Sequence, residues 1–478
     1  MISLSKVFRV VWRDGAVQRN TKVIIFVVSL SSLLPARAQT SDSIIYRQLT
    51  DYGITFTKGN TVELLMSGQE KFDHLFADIR RARHAIHLEY FNFRNDSIAS
   101  LLFDILREKR REGVIVRALF DGFGNDSNNQ PLLKHHITSL REDSIDIHEF
   151  DPIRFPWVNH IWPRDHRKIV VIDDSIAYTG GMNVADYYIK GTEQVGSWRD
   201  MHCRLTGPVV AQLQEIFVHI WEKTTGEQLP VAYLRPLIGN DTEFDKQESL
   251  QARKSSGSLV GIVNREPGTV YVERPGTAYS PPLEGEGPST LYSPPLEGEG
   301  SGVGALLGKN SAMRFFYTHA IDAAQDTLRI INPYFTLTPS LNRALKRALK
   351  RGVVVDILLS EKSDIPLTPD CCFYNAHKLM KRGARVWLYK PGFHHSKIMM
   401  VDGRFCTVGS ANLDARGMRF DYEENAVILD SIVTRQLNDM FCRDTLESFR
   451  LTPQTWKEFR TPWQKFRGWF AHLLRPFL

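Results

Sequence analysis

Cysteine is scarce in this chain. Its 478 residues carry five, Cys203, Cys371, Cys372, Cys406 and Cys442. An odd count without framework spacing excludes a disulfide scaffold, and adjacent cysteines at 371–372 are badly placed to bridge each other. Paired metal-ligand spacings are missing as well: there is no H-x-x-x-H and no C-x-x-C, so neither a metal nor another cofactor is expected. Charge of one sign is not in large excess. A net charge of +6 with 24% charged residues is too little to argue for nucleic acid, and it suits an anionic lipid surface equally well. Long apolar runs are lacking too. Val23 to Leu34 is short against the roughly 20 residues of a membrane span. Lys6, Arg9, Arg13, Arg19 and Lys22 precede it, and Pro35 and Ala36-Arg37-Ala38 follow. Residues 1–42 therefore read as a signal or membrane-anchor segment with a cytoplasmic N-terminus.

What the chain does have is one sparse pattern twice. His166, Lys168 and Asp173 form His-x-Lys-x4-Asp, and His395, Lys397 and Asp402 repeat it 229 residues later. Gly180, Gly181 and Asn183 trail the first copy; Gly409, Ser410 and Asn412 trail the second. Both copies run into strand-like segments, Ile169-Val170-Val171-Ile172 and Ile398-Met399-Met400-Val401. Residues two apart on a strand share a face, so each His and Lys project into one site. Asp173 and Asp402 fall on the other side of the register or at the strand end, and are expected to hold strand and loop in place. A neutral imidazole is a nucleophile and an imidazolium an acid, so two in one site can divide those roles. Ammonium and amide groups supply the donors a phosphoryl transition state needs. Such a site suits a phosphodiester without a metal.

With these residues in view, the chain resembles the phospholipase D superfamily, and more closely the bacterial cardiolipin synthases, over roughly residues 44–240 and 310–450. The shared strings are RDHRKIVVIDD, AYTGGMNVADYY and Trp198-Arg199-Asp200 in the first half. In the second they are NPYF at 332–335, GFHHSKIMMVDG and GSANLDARGMRFDYEEN. The resemblance implies a catalytic set of His166, Lys168, Asp173, His395, Lys397 and Asp402. It implies a phosphohistidine on one histidine, with His166 favoured, while His395 protonates the leaving alcohol and later deprotonates the acceptor. Lys168, Lys397, Asn183, Asn412 and Ser410 would bind the phosphate oxygens. An acid downstream of each motif would orient that motif's own histidine: Asp200 in the first half and Glu423 in the second, with Glu424 adjacent.

The duplication reaches beyond the motifs. His84 to Phe93, a helix over Ser97 to Glu112 and a strand over 114–120 match a strand over Thr327 to Phe335, a helix over Ser340 to Arg351 and a strand over 353–359. Gly113 and Gly352 stop the two helices. Alternating strands and helices predict an α/β fold with two phospholipase D-like β-α-β-α sandwich halves forming a pseudo-dimer. The expected divisions are a first half at 43–245, a disordered linker at 246–310, a second half at 311–452 and a tail at 453–478. The linker is rich in Ser, Gly, Pro and Glu and carries YSPPLEGEG twice, at 279–287 and 292–300, a composition with no core to build.

In the tail, Trp456, Phe459, Trp463, Phe466, Phe470, Leu473 and Phe477 recur at spacings of three and four among Lys457, Arg460, Lys465, Arg467 and Arg475. That is an amphipathic helix suited to the headgroup boundary of an anionic bilayer, or packed on the domain, with Pro462 bending or starting it. The reading that results is a phosphatidyltransferase at a bacterial cell membrane, anchored or peripheral. It would join two phosphatidylglycerol molecules into cardiolipin and glycerol, with phosphatidylglycerol and other anionic phospholipids as partners and no nucleic acid or obligate protein partner. Phospholipase D hydrolysis and a nuclease of the same superfamily are the alternatives.

Overall fold

The computed structural model describes residues 39–153, 163–229, 257–267, 311–365 and 367–474. The expected signal or anchor segment, as far as residue 38, and both copies of the YSPPLEGEG repeat lie outside the described residues. No described helix is long and apolar enough to cross a membrane.

The repeated strand-helix-strand units build one mixed sheet of fifteen strands. On one side the order from the centre is Phe56–Leu65, His202–Thr206, Ile176–Gly180, Ile169–Ile172, Ala85–Tyr90, Ile115–Asp121 and Asp146–Phe150. On the other it is Ser258–Arg265, Glu423–Leu429, Phe405–Gly409, Ile398–Val401, Thr327–Ile331, Val354–Ser360, Arg385–Tyr389 and Ser448–Leu451. The two series mirror each other strand for strand until the last. In each, two strands joined through a helix run parallel, Ala85–Tyr90 with Ile115–Asp121 and Thr327–Ile331 with Val354–Ser360. The strand that follows each motif pairs antiparallel to the first member.

Alternation along the motif strands sorts side chains to two faces. Val170 and Ile172 meet the helices Gly68–Arg81 and Ser97–Arg111, and Met399 and Val401 meet Ala312–Ala323 and Pro339–Arg351. Ile169, Val171, Ile398 and Met400 face the opposite layer, where Leu213 of Val210–Thr225 and Leu437 of Ser431–Leu446 cover them. The helix stops fall where expected. Asp96 caps the start of Ser97–Arg111 by accepting from Ala99 N, and Gly113 follows its end at φ +90°. Gly352 caps Pro339–Arg351 at φ +91°, a left-handed conformation that glycine adopts without a Cβ penalty.

Three expectations need correction. First, residues 246–310 are not structureless throughout. Ser258–Arg265 is a strand at the centre of the sheet, antiparallel to both Glu423–Leu429 and Phe56–Leu65. Its apolar core, Leu259-Val260-Gly261-Ile262-Val263, is short enough for the surrounding Ser and Gly to hide. Second, the strands expected over 84–93 and 327–335 end at Tyr90 and Ile331. Pro333 has no N–H for a ladder, and the Asn332 side chain accepts from Tyr334 N at 3.2 Å and Leu413 N at 3.1 Å. Third, the tail is two helices, Thr455–Phe459 and Pro462–Leu473, because Pro462 starts a new helix under a Thr461–Gln464 capping box. Trp456 is buried in the core of the second half and Phe459 packs against it.

The central strand carries a direct prediction. Val263 is fully buried opposite Asn425, so Val263→Asp places an unpaired carboxylate at the join. Thermal or urea unfolding should show a loss of more than about 4 kcal/mol. Excision of 250–308 should prevent folding outright, and a cooperative wild-type-like transition for that deletion would contradict this placement.

Candidate active site

Each motif histidine is held by backbone from the other half. Asp165 and Tyr422 form a parallel bridge, in which His166 N donates to Tyr422 O at 3.1 Å and Tyr422 N donates to Arg164 O at 2.8 Å. In the counterpart, Gly392–His394 runs parallel to Ser197–Arg199, and His395 N donates to Arg199 O at 2.6 Å. The residue after Tyr422 is Glu423 and the residue after Arg199 is Asp200. The acids are thereby exchanged. His166 Nδ1 lies 3.1 Å from Glu423 Oε1, and His395 Nδ1 lies 2.8 Å from Asp200 Oδ2. This corrects the expectation that each acid serves its own motif: Asp200 and Glu423 do meet the histidines, but across the halves. Glu424 turns away, with its carboxylate on Thr179 Oγ1 and Ser410 Oγ.

Glycines make room for the Asp200 carboxylate and for the backbone that follows Glu423. A Cβ on Gly181 would sit 2.3 Å from Asp200 Oδ1, and one on Gly409 would sit 2.3 Å from Glu424 O. That is why small residues trail both motifs.

The two pairs differ electrically. Burial opposes ionisation of Asp200, yet Lys397 and His395 hold its carboxyl down to about 2. Burial pushes Glu423 up to about 7 against Lys168 and a hydrogen bond from Ser410. Both rings lose proton affinity, first to burial and then to lysine: Lys168 and Lys397 act on His166, and Lys397 acts on His395 while Asp200 opposes it. His166 is displaced furthest, well below the usual imidazole value. The pair His166–Glu423 is thus pushed towards neutrality at both ends, whereas Asp200 stays ionised beside His395.

Lys168 and Lys397 are buried, and burial lowers both, Lys397 to about 8. Each also lies in the other half's field: Lys168 lowers Lys397, and Lys397 lowers His166. An anion between them would relieve that repulsion. The amide oxygens of Asn183 and Asn412 are buried without a hydrogen-bond partner, the state expected of groups kept for a ligand. Ser410 departs from the expected phosphate role, because its hydroxyl donates to Glu423 and contacts Glu424 instead. Asp173 and Asp402 lie outside the site. Asp173 accepts from the backbone N–H groups of Arg83, His84 and Ala85, and Asp402 from those of Gln325, Asp326 and Thr327. Both sit at φ +51° in the turn after the motif strand and fasten the start of the neighbouring one. Among the described residues, no group of three or more His, Cys, Asp or Glu could hold a metal.

Several neighbours have no role assigned by the motifs, and two of them, Phe91 and Lys71, lie outside the shared strings altogether. The Phe91 ring lies 5.1 Å from His166, and the rings of Trp198, Phe393 and Tyr334 lie 5.5, 5.4 and 5.8 Å from His395. Lys71 is buried and donates from Nζ to Asn183 O at 3.1 Å. Arg167, between the motif His and Lys, faces away and binds Glu89 at 2.6 Å, Asp165 at 3.2 Å and Asn264 of the central strand at 3.0 Å. The alternation of faces predicts that Arg167 points away from His166, but nothing local names its partners.

Known proteins match the chain across both halves. The family described as "Cardiolipin synthase, PLD-like domain" matches residues 75–221 and 317–445. A cardiolipin synthase of Listeria welshimeri is 30% identical over 436 residues, covering 91% of this chain and 79% of its own. A probable cardiolipin synthase of Bacillus subtilis is 30% identical over 399 residues, covering 83% and 68%. Among solved structures, a phosphatidylserine synthase of Haemophilus influenzae shares the fold at a TM-score of 0.62 and 15% identity, covering 91% of this chain and all of the other.

Two substitutions separate site from scaffold. Asp173→Ala strips three amides of their acceptor and should cost about 1–3 kcal/mol in unfolding experiments, with turnover per folded molecule nearly unchanged. Gly181→Ala drives Asp200 off His395 and should lower kcat per folded molecule by about a hundredfold, with a stability cost of its own from the displaced buried carboxylate. The reverse ranking would misplace both residues.

Proposed function

This chain belongs to the phospholipase D-like cardiolipin synthase family and is a phosphatidyltransferase acting on phospholipid; from that premise we propose that it condenses two phosphatidylglycerol molecules into cardiolipin and glycerol. The phosphatidyl group would be carried on His166. The observation that supports this division of labour is the unequal pair of carboxylates. Because Glu423 is pushed up to about 7, its pair with His166 does not hold a charged ring at rest: His166 keeps a nucleophilic Nε2, and its Nδ1–H donates to Glu423, most strongly once that carboxyl ionises. Beside His395, ionised Asp200 stabilises an imidazolium. A phosphodiester anion between Lys168 and Lys397 offsets their charge and helps His395 hold its proton.

In the first step His166 Nε2 bonds to phosphorus, the bond from phosphorus to the glycerol oxygen breaks, and His395 gives that oxygen its proton. In the second, the hydroxyl of the acceptor lipid gives a proton to His395 and attacks phosphorus, the P–N bond breaks, and His166 is restored. Lys168, Lys397, Asn183 and Asn412 stabilise the charge on the non-bridging oxygens in both. Transfer to alcohol over water is supported by the low exposure of the two ring side chains, 15% for His166 and 8% for His395. A held acceptor then competes at high effective concentration. The same reading places the protein at a bacterial membrane surface, where both substrates reside.

The test is incubation of purified protein with phosphatidylglycerol and resolution of the products by mass. Cardiolipin with glycerol is expected, and phosphatidic acid with glycerol would move the reading to hydrolysis. His166→Ala should abolish both transfer and acid-labile labelling by a radiolabelled lipid, whereas His395→Ala should slow turnover by at least about a thousandfold. The pH profile carries a sign. A carboxyl raised to about 7 is protonated below that pH, so kcat/KM should rise as Glu423 ionises through neutrality. In Glu423→Gln that limb should disappear along with most of the rate.

A further inference from the structure

The helix Pro462–Leu473 is built the wrong way round for a helix covering a water-soluble core. Its small residues, Gly468 and Ala471, are buried, while its large apolar ones are outside: Trp463 (64% exposed), Phe466 (48%), Trp469 (45%), Phe470 (47%) and Leu473 (55%). At 100° per residue those five fall within an arc of about 120°, opposite the buried pair. Their rings form one surface, Trp463 on Phe466 at 5.5 Å and Phe466 on Trp469 at 5.7 Å. Two tryptophans, two phenylalanines and a leucine on one face are far more than scattered surface apolar residues require.

The helix is also fastened so that this face stays outward. Arg460 and Arg467 both pair with the buried Asp370, in the first turn of Thr368–Met380, with Arg467 Nη2 to Oδ2 at 2.6 Å. A Cβ on Gly468 would meet Asp370 O at 2.8 Å, so glycine permits that close approach. His472 packs on Tyr374 at 4.9 Å. Swivelling the aromatic face inward would break a buried ion pair, so burial in the protein is not its resting solution.

We infer that this helix is a rigid platform that docks the protein on the surface of an anionic phospholipid bilayer. The occupant follows from charge and from position. Across residues 455–474, with Arg460 buried on Asp370, Lys457, Lys465 and the part-exposed Arg467 face a single acid, Glu458. Trp and Phe with Lys and Arg alongside match the headgroup boundary of an anionic membrane. The platform is tied to the active-site rim: Asp370 stands six residues from Asp364, whose Oδ1 accepts from Tyr334 OH at 2.7 Å, and the Tyr334 ring lies 5.8 Å from His395. Ile365 and Leu367, between the two aspartates, are exposed as well. This placement deepens the reading of the site as one that acts on lipid, but its test does not depend on turnover.

The experiment measures binding of the full-length protein to vesicles of phosphatidylglycerol and phosphatidylcholine. Trp463→Ser/Phe466→Ser/Trp469→Ser/Phe470→Ser should weaken binding at least tenfold while its melting temperature and its turnover of short-chain, monomeric phosphatidylglycerol stay at wild-type values. His166→Ala should bind as wild type does, so loss of chemistry and loss of docking are read separately. Should the fourfold variant fold poorly, Trp463→Phe/Trp469→Phe keeps the apolar face and supplies the second readout. Brominated lipid should quench less of its tryptophan fluorescence than of the wild type's, although it binds equally well. Wild-type vesicle binding by the fourfold variant, or unchanged quenching in the double variant, would overturn the proposal. So would a wild-type dimer that the fourfold variant dissociates without changing vesicle binding, because a second copy would then be the occupant.

Discussion

Two backbone hydrogen bonds between the halves hold this site together: His166 N to Tyr422 O and His395 N to Arg199 O. Each joins a motif histidine to the residue just before the other half's carboxylate, so the pairing of ring with acid follows from strand alignment before any side chain is placed. Backbone pairing of this kind tolerates little slippage, since a one-residue shift would present the opposite face. Half a site is therefore of no use to either copy of the repeat. The buried carboxylates Glu423 and Asp200 accept from Ser410 Oγ and Met201 N of their own halves but meet a histidine only across the interface, and a buried carboxylate that loses a partner is among the costlier defects a fold can carry.

Duplication makes two sites of equal shape, and local substitutions then make them unequal in charge. Gly181 lies against Asp200, and at the matching place in the other half Ser410 donates to Glu423. Burial drives Glu423 towards its neutral form, and burial with the neighbouring Glu423 raises Glu424 as well, whereas Asp200 is held ionised by Lys397 and His395. Lys71 adds an asymmetry of its own, a buried amine on Asn183 O that burial pushes well down; at the same distance from its helix cap the second half places the uncharged Phe315. A reaction that needs one neutral and one protonated imidazole is served by that divergence.

What could be read from the chain and what could not divides along local and non-local lines. The doubled motif, the alternation that sends His166 and Lys168 one way and Arg167 the other, and the glycine stops at 113 and 352 are local rules obeyed at each position. The exchange of acids is not local: Asp200 and Glu423 each lie downstream of their own motif, and only the inter-half bridges carry them to the other one. Ser258–Arg265 was hidden by the averaging of composition over Ser- and Gly-rich neighbours, although its five apolar-or-glycine residues in a row were a strand signal. The tail stripe looked continuous from Trp456 to Phe477, yet Pro462 divides it, and the close approach of Gly468 is to Asp370, about a hundred residues earlier in the chain.

The crossed pairing of rings and acids is the claim on which the chemistry rests, and nitrogen NMR of the histidine rings in protein labelled with nitrogen-15 at histidine tests it without reference to turnover. With ring signals assigned from His166→Gln and His395→Gln, Asp200→Asn should move the Nδ1 resonance of His395 by several parts per million and leave that of His166 close to its wild-type position. Glu423→Gln should do the reverse. Movement of the His166 signal in Asp200→Asn, with His395 unmoved, would show that each half orients its own histidine and would contradict the account.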